Sequence, residues 1–228
     1  MTKRSKRYQA AAGKIKLDQA YPIAEAIKLI KDTATTKFDG TVEAHFRLGI
    51  DTKKTDQQVR ATVSLPHGTG KTKTIAAFVG SDKEKDAKAA GADIIGGEDL
   101  IQKIKSSGKI DFDIALATPD MMPKLAQIAK VLGPAGLMPS PKNETITTNL
   151  KKTITELKGG KVNFKTDNTG NIHQSIGKTS FSAEQLTANY KSLLEAITKA
   201  KPSGSKGVYL RNISLSSTMG PGVRVTGA

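Results

Sequence analysis

Cysteine is absent from this 228-residue chain, and so is tryptophan. Without a thiol there is no disulfide framework, no thiolate nucleophile and no thiolate zinc site. Histidine is nearly as scarce. His45, His67 and His173 stand far apart, without the spacing of a helical ligand pair, so neither a metal nor any other cofactor is expected. No stretch reaches the roughly 18 apolar residues of a membrane span. The basic start, Met1-Thr2-Lys3-Arg4-Ser5-Lys6-Arg7, lacks the apolar core of a signal peptide. Acidic residues are also few: 21 against 36 Lys plus Arg, a net charge of +15. Such an excess repels itself. It points to a polyanionic partner, nucleic acid before membrane.

The charge is uneven. Residues 1–67 carry 13 basic and 7 acidic side chains, net +6. Residues 68–159 carry 14 and 11, net +3, and residues 160–228 carry 9 and 3, net +6. Eight of the ten aromatic residues lie in the two basic ends.

The middle alternates between strand and helix signals. Thr74–Val79, Asp93–Ile95 and Phe112–Ala117 read as short buried strands. Asp82–Ala90, Asp99–Ser106, Pro119–Leu132 and Thr148–Leu157 read as helices. Alternation of this kind makes a parallel sheet with helices on its faces, a Rossmann-like α/β domain.

The ends read as α+β. Pro22 opens a helix with Ile23, Ala26, Ile27 and Ile30 in one stripe. Val42, Ala44, Phe46, Leu48 and Ile50 alternate with polar residues, as in a strand buried on one face. Val63 and Leu65 continue a shorter strand. Lys161–Lys165 and Ile172–Ile176 flank Asp167-Asn168-Thr169-Gly170-Asn171, a hairpin turn by composition. Ser182-Ala183-Glu184-Gln185 forms a capping box for another helix, and strand signals return at Val208, Leu210, Ile213 and Leu215. Each end alone is too small to be stable. The expected architecture is therefore one discontinuous α+β domain with an antiparallel sheet, residues 1–67 plus 160–228, interrupted by the α/β domain at 68–159. Pro66, Gly68, Gly70, Gly159 and Gly160 are the expected hinge.

Gly68-Thr69-Gly70-Lys71-Thr72 has a nucleotide-loop flavour, but Leu65 stands where a P-loop has its first glycine, and a strand follows where a helix is needed. Gly80-Ser81-Asp82 lacks the dinucleotide spacing. Asp111, Asp113 and Asp120 fit ordinary turn and cap positions. His45, on the polar face of its strand, is either a plain surface residue or an RNA contact. Lys37-Phe38 is either the buried start of a strand or a cation and ring set out for phosphate and base. Ser216-Ser217-Thr218-Met219-Gly220-Pro221-Gly222 is a loop of hydroxyls and glycines in a region with no acidic residue from Ala196 onward, which favours an RNA contact.

Several segments occur in a distinctive order: Thr35-Thr36-Lys37-Phe38, Leu48-Gly49-Ile50-Asp51, Val63–Lys71, Leu132-Gly133-Pro134-Ala135-Gly136-Leu137-Met138-Pro139 and Ser217-Thr218-Met219-Gly220. Together they closely resemble the large-subunit ribosomal protein L-one family, in its bacterial form, from Lys6 to Val225. This is the protein of the mobile stalk beside the tRNA exit site. The resemblance implies a split RNA-binding domain with a Rossmann-like insert and no enzymatic chemistry. As partners it implies the stalk region of large-subunit rRNA, exit-site tRNA whose release it assists, and the protein's own operon mRNA, which it represses. It also implies a cytoplasmic, ribosome-bound protein that is monomeric off the ribosome and has no membrane partner. The family's RNA-contact motifs map onto Lys37, Phe38 and Glu43, onto Lys165 and Asp167, and onto Ser217, Thr218, Met219 and Gly220. Ala135 stands where Arg or Lys is common, and Asn168 where Lys is frequent, so any contact made by those cations is weaker here. Two other classes compete. A nucleotide-dependent enzyme would bind ATP or GTP tightly with magnesium. A non-specific basic protein of the nucleoid or membrane surface would bind duplex DNA as well as folded RNA.

Overall fold

The computed structural model describes residues 4–16 and 19–226, so Met1–Lys3 of the basic start lie outside the described residues. In chain order the first elements are α1 (Lys6–Ala12), α2 (Ile23–Thr33), β1 (Thr41–Leu48), β2 (Arg60–Ser64), β3 (Ile75–Phe78), α3 (Glu84–Ala89), β4 (Ile94–Gly96) and α4 (Glu98–Ser107). Then come β5 (Ile114–Ala117), α5 (Met122–Leu125), α6 (Ala129–Leu132), α7 (Leu150–Lys158), β6 (Lys161–Lys165), β7 (Asn171–Lys178), α8 (Ala183–Lys199), β8 (Leu210–Ser217) and β9 (Gly222–Val225). The chain divides into two units, Met1–Gly70 with Val162–Ala228, and Lys71–Lys161.

The discontinuous unit is built on an antiparallel sheet of order β7-β1-β8-β9. β1 comes from the first segment of the chain, and both its neighbours come from the last. Neither end can make this sheet alone. The alternation in β1 places Val42, Ala44, Phe46 and Leu48 inward, all buried. They meet Ile172, Ile176, Ile213, Leu215 and Val223, under Ala26, Ile27 and Ile30 of α2 and Leu186, Leu193 and Ile197 of α8. Each fully buried Ile or Leu contributes roughly 1.5–3 kcal/mol. The capping box of α8 forms as its sequence predicts. Ser182 accepts from the Gln185 N–H, and the Gln185 side chain accepts from the Ser182 N–H.

The continuous unit is a parallel sheet of order β4-β3-β5. Ala76, Phe78, Ala115 and Ala117 face one core with Ile101, Leu125, Ile128 and Leu132. Ile75, Ala77, Val79 and Leu116 face a second core with Ala87, Ile154 and Leu157. Helices thus cover both faces, as a sheet apolar on both sides requires.

Four expectations need correction. The helix over Pro119–Leu132 is segmented into a 3₁₀ turn at Pro119–Met121, α5, a second 3₁₀ turn at Ala126–Ile128, and α6. Pro123 falls in the first turn of α5, where its missing N–H is tolerated, so α5 starts afresh after the Pro119–Met121 turn. Second, Lys161–Lys165 and Asn171–Lys178 do not form a hairpin. β6 pairs with β2, in a different sheet from β7. The Thr166 N–H is already spent on the Val59 carbonyl at 3.0 Å, which turns this strand away from β7. Third, Val208 lies before β8 and is 71% exposed.

The fourth correction concerns the boundaries, which fall at 71 and 161 rather than 68 and 159. Asn189, fully buried in α8, accepts from the His67 N–H at 3.1 Å and donates to the Gly68 carbonyl at 2.9 Å. Those two bonds hold residues 67–70 on the discontinuous unit. At the other crossing the Lys161 ammonium is pinned by the Glu144 and Glu156 carboxylates. Gly68, Gly70 and Gly160 have φ of +63°, +71° and +108°, conformations that a residue with a Cβ rarely adopts.

Candidate nucleic-acid interface

Inward residues of β1 leave Thr41, Glu43, His45 and Arg47 on the opposite face. The antiparallel register sets His45 against His173 and Ser214, Glu43 against Ser175 and Ser216, and Arg47 against Asn171 and Asn212. Arg224 of β9 lies against Ser214 and donates to the Asn212 side chain at 3.4 Å. The result is a polar sheet face without a single large apolar side chain, bounded at each end by loops.

The loops at the Thr41 end hold most of the residues singled out from the sequence. The Thr218 N–H donates to the Thr41 carbonyl at 2.9 Å, and this brings the loop before β1 beside the loop after β8. Phe38 is 57% exposed and Met219 65% exposed, two of the three large apolar side chains that stand out from the described surface. The reading of Phe38 as a buried strand start is therefore set aside. Lys37 is exposed beside it, and Glu43 is exposed on the adjoining face. The Phe38 loop is not slack. Asp39 accepts from the Thr179 hydroxyl and from both the N–H and the hydroxyl of Ser180, and these donors hold its carboxyl below the usual carboxylate range.

Met219 occupies the left-handed region, with φ +61°. A residue with a side chain stays there only when its surroundings enforce it, and such strain gathers at functional positions. Two contacts enforce it here. The Gly220 N–H donates to the Ser217 carbonyl at 2.8 Å, closing the turn, and the Arg7 guanidinium donates to the Met219 carbonyl at 3.0 Å. Arg7 also donates to the Thr35 hydroxyl at 3.2 Å, so it ties the two loops together. Arg4, Arg7, Tyr8, Met219 and Gly220 line a shallow depression of about 400 Å³. The helix α1, which carries Arg7 and follows Arg4, was not legible in the sequence. Its one buried residue is Ala11, so it has no apolar stripe to betray it.

Two of the singled-out residues also have a place in the free fold. The Thr218 hydroxyl accepts from the Thr41 N–H at 2.9 Å and faces the Thr41 carbonyl at 3.2 Å. It is a strut between strands, and its proton is committed there. Ser217 is buried, and its hydroxyl is the one buried side-chain polar atom without a partner among the described residues. What Ser217-Thr218-Met219-Gly220 exposes is the Met219 side chain and the backbone at Gly220.

Asp167 lies at the other end of the sheet, its N–H bonded to the Asn171 carbonyl at the start of β7, and Lys165 ends β6 two residues before it. Six residues separate Thr41 from Arg47, about 20 Å at 3.3 Å per residue. Lys165 is exposed. Burial opposes ionisation of Asp167, but the N–H groups of Asn171 and Thr169 and the Thr169 hydroxyl outweigh it, holding the carboxyl well below the carboxylate range. Those bonds shape the turn, whose Gly170 has φ +82°. The singled-out residues therefore form two clusters, with the face bearing His45 and His173 between them.

Sequence reasoning underrated that face. His45 and His173 are 128 positions apart, yet their Nδ1 atoms are 2.8 Å apart. Among the described residues there is no cluster of three or more His, Asp or Glu side chains able to hold a metal.

The class is now defined. It is a split α+β unit with a polar antiparallel face edged by exposed rings and cations, and a separate parallel α/β unit inserted between its halves. A family described as the Ribosomal protein L1p/L10e family matches residues 30–221. The chain is 52% identical over 225 residues to proteins named large ribosomal subunit protein uL1 from Mycobacteroides abscessus and from Rhodococcus erythropolis. Each alignment covers 99% of this chain, with 95% and 94% of the respective relative. A protein of the same name from Frankia alni is 50% identical over 223 residues, covering 98% of this chain and 93% of its own. The chain belongs to the Ribosomal protein L1p/L10e family. Proteins of this family are structural constituents of the large ribosomal subunit and not enzymes.

Proposed function

We propose that this chain binds the stalk region of large-subunit rRNA through its discontinuous unit, as a ribosome-bound protein of the cytoplasm. The carrying observation is the pairing of two outward apolar side chains, Phe38 and Met219, on loops that Arg7 and Thr218 lock together at the edge of a polar sheet. An aromatic ring and a thioether held in solvent beside Lys37, Arg4 and Arg7 suit bases splayed from a folded RNA. The cations and the Gly220 backbone suit its phosphates and riboses. The finer roles belong to the same proposal: assistance to deacylated tRNA leaving the exit site, repression of the chain's own operon mRNA, and a monomeric state off the ribosome. So does bending where the chain passes between units, at the crossings that Pro66, Gly68 and Gly70 precede on one side and that Gly159 and Gly160 precede on the other. The inserted unit, with Ala135 in place of a cation, is the weaker participant in tRNA contact.

The test is a salt titration against a transcript of the rRNA stalk region. Five phosphate contacts, each contributing a slope of roughly 0.7–0.9, make a fourfold rise in monovalent salt cost on the order of a few hundredfold in affinity. Affinity flat over that range overturns the proposed contact mode. Equal affinity for duplex DNA assigns the chain instead to the non-specific basic proteins.

A further inference from the structure

His45 and His173 lie at the centre of the polar face, in an open depression of about 360 Å³ lined by His45, Arg47, Asn171, His173, Asn212 and Ser214. Their rings meet edge to face, with centroids 5.0 Å apart. A 2.8 Å contact between Nδ1 atoms requires a proton on one nitrogen and a lone pair on the other. The neighbours decide which carries it. His173 Nε2 lies 3.6 Å from the Asp167 carboxylate, which tolerates an N–H there and repels a lone pair. His173 is therefore protonated at Nε2, and its Nδ1 accepts from the His45 Nδ1–H. His45 Nε2, 2.9 Å from Ser216 Oγ, then accepts from that hydroxyl. In this arrangement the two rings and Ser216 satisfy one another.

Glu43 and Arg47 flank His45 on β1, Asp167 stands over His173, and Arg224 reaches the face from β9. β8 contributes only Asn212, Ser214 and Ser216. Burial, and then His173, hold the His45 pKa below the ordinary histidine range, against a smaller upward pull from Glu43.

We propose that the His45–His173 pair is a phosphate-binding site for the RNA backbone that takes up one proton from solvent as the phosphate docks. The proton adds to His173 Nδ1 and breaks the contact between the rings. Two N–H groups, one on each Nδ1, can then turn toward one phosphate oxygen. The new positive charge sits between that phosphate and the Asp167 carboxylate, which steadies it from behind. In the free protein that phosphate charge is missing, and burial holds the His45 pKa below the ordinary histidine range. The site also links the two clusters of candidate contacts, which otherwise lie about 20 Å apart. This inference rests on the RNA-binding reading above.

The sign follows from linkage. A complex that holds one more proton than its free components tightens as pH falls, by up to tenfold per unit. In the free protein the sign is opposite. A depressed His45 pKa stabilises the fold above the ordinary histidine pKa, and that contribution is lost as pH falls through the folded value. Affinity for RNA and thermal stability should therefore move in opposite directions on acidification.

The experiment measures binding of the rRNA stalk transcript to the full chain from pH 6.0 to 8.0 at fixed ionic strength, by calorimetry in buffers of different ionisation enthalpy. The wild type is expected to bind about fivefold to tenfold more tightly at pH 6.0 than at pH 7.5, with net proton uptake averaging about 0.5–0.7 per complex over that range. His173→Gln and His45→Gln should flatten the profile, whereas His67→Gln should keep it. A melting curve for each variant excludes misfolding. Proton uptake unchanged in the His45→Gln/His173→Gln double variant overturns the proposal, because the proton then resides on the RNA or elsewhere. A flat wild-type profile overturns it too and leaves RNA binding intact, whereas absence of binding at every pH removes the RNA-binding reading along with it.

Discussion

The double variant Phe38→Ala/Met219→Ala is expected to bind the rRNA stalk transcript roughly 150-fold more weakly, with an unchanged melting temperature. Truncating a side chain that stacks on a base costs about 1–3 kcal/mol. An aromatic and a thioether together are therefore put at about 3 kcal/mol, which is roughly 150-fold. Both side chains are more than half exposed, so the free fold loses little by their removal, within about 0.5 kcal/mol for surface positions. This separation of effects is what distinguishes a recognition loop from a packing loop. The Met219 backbone is held by Arg7 and by the Gly220 turn, neither of which the variant touches. Filter binding of the two single variants and the double would apportion the loss. Wild-type affinity in the double variant would assign recognition to another part of the surface.

The second large effect is on stability. Gly49 follows β1, and its N–H donates to the Tyr209 carbonyl at 2.7 Å, the last tie between the end of β1 and the start of β8. A Cβ at this position would lie 2.1 Å from the Val208 carbonyl oxygen. No side-chain rotation relieves that overlap, because the obstacle is backbone. The chain has one way to yield. The 201–208 segment is mostly exposed, so residue 208 can swing outward at the expense of the Gly49–Tyr209 bond. Tyr209 is buried, and its hydroxyl donates to the Ile197 carbonyl at 3.1 Å. Moving it disturbs the end of α8 as well. Gly49→Ala is therefore expected to cost about 3 kcal/mol, at the upper end of the range for overpacking. For a unit of this size that is on the order of 10 °C in melting temperature. Calorimetry would check it. A variant that melts within a degree of the wild type would mean that the 201–208 segment gives way freely.

Legibility in the sequence followed the range of the interactions. β1 was readable because Val42 to Leu48 alternate, and a period of two needs only neighbours. The start of α8 was readable because Ser182 and Gln185 bond to each other across three positions. The split architecture was readable because neither end could fill a core. What escaped was decided at long range or without an apolar signal. α1 docks through Arg7 onto residues 28 and 212 positions away, and no periodicity encodes such a contact. The supposed hairpin around Asp167 has the right turn chemistry, but Val59, more than a hundred positions earlier, takes the strand elsewhere. Thr218 looked like a hydroxyl offered to ribose because nothing local showed that Thr41 had already engaged it. His45 and His173 each looked ordinary alone, and only the register of β1 on β7 makes them a pair.

The central claim is that the polar face of the discontinuous unit, together with the loops at its two ends, is the surface that meets rRNA. Site-specific photocrosslinking addresses it in the assembled large subunit. A photoreactive amino acid is placed in turn at positions 38, 173 and 219, and at exposed positions 103 and 152 of the inserted unit. The account predicts crosslinks to large-subunit rRNA from positions 38, 173 and 219, and none to that rRNA from 103 or 152. Crosslinks to the same rRNA from the inserted unit, with silence at 38, 173 and 219, would contradict it.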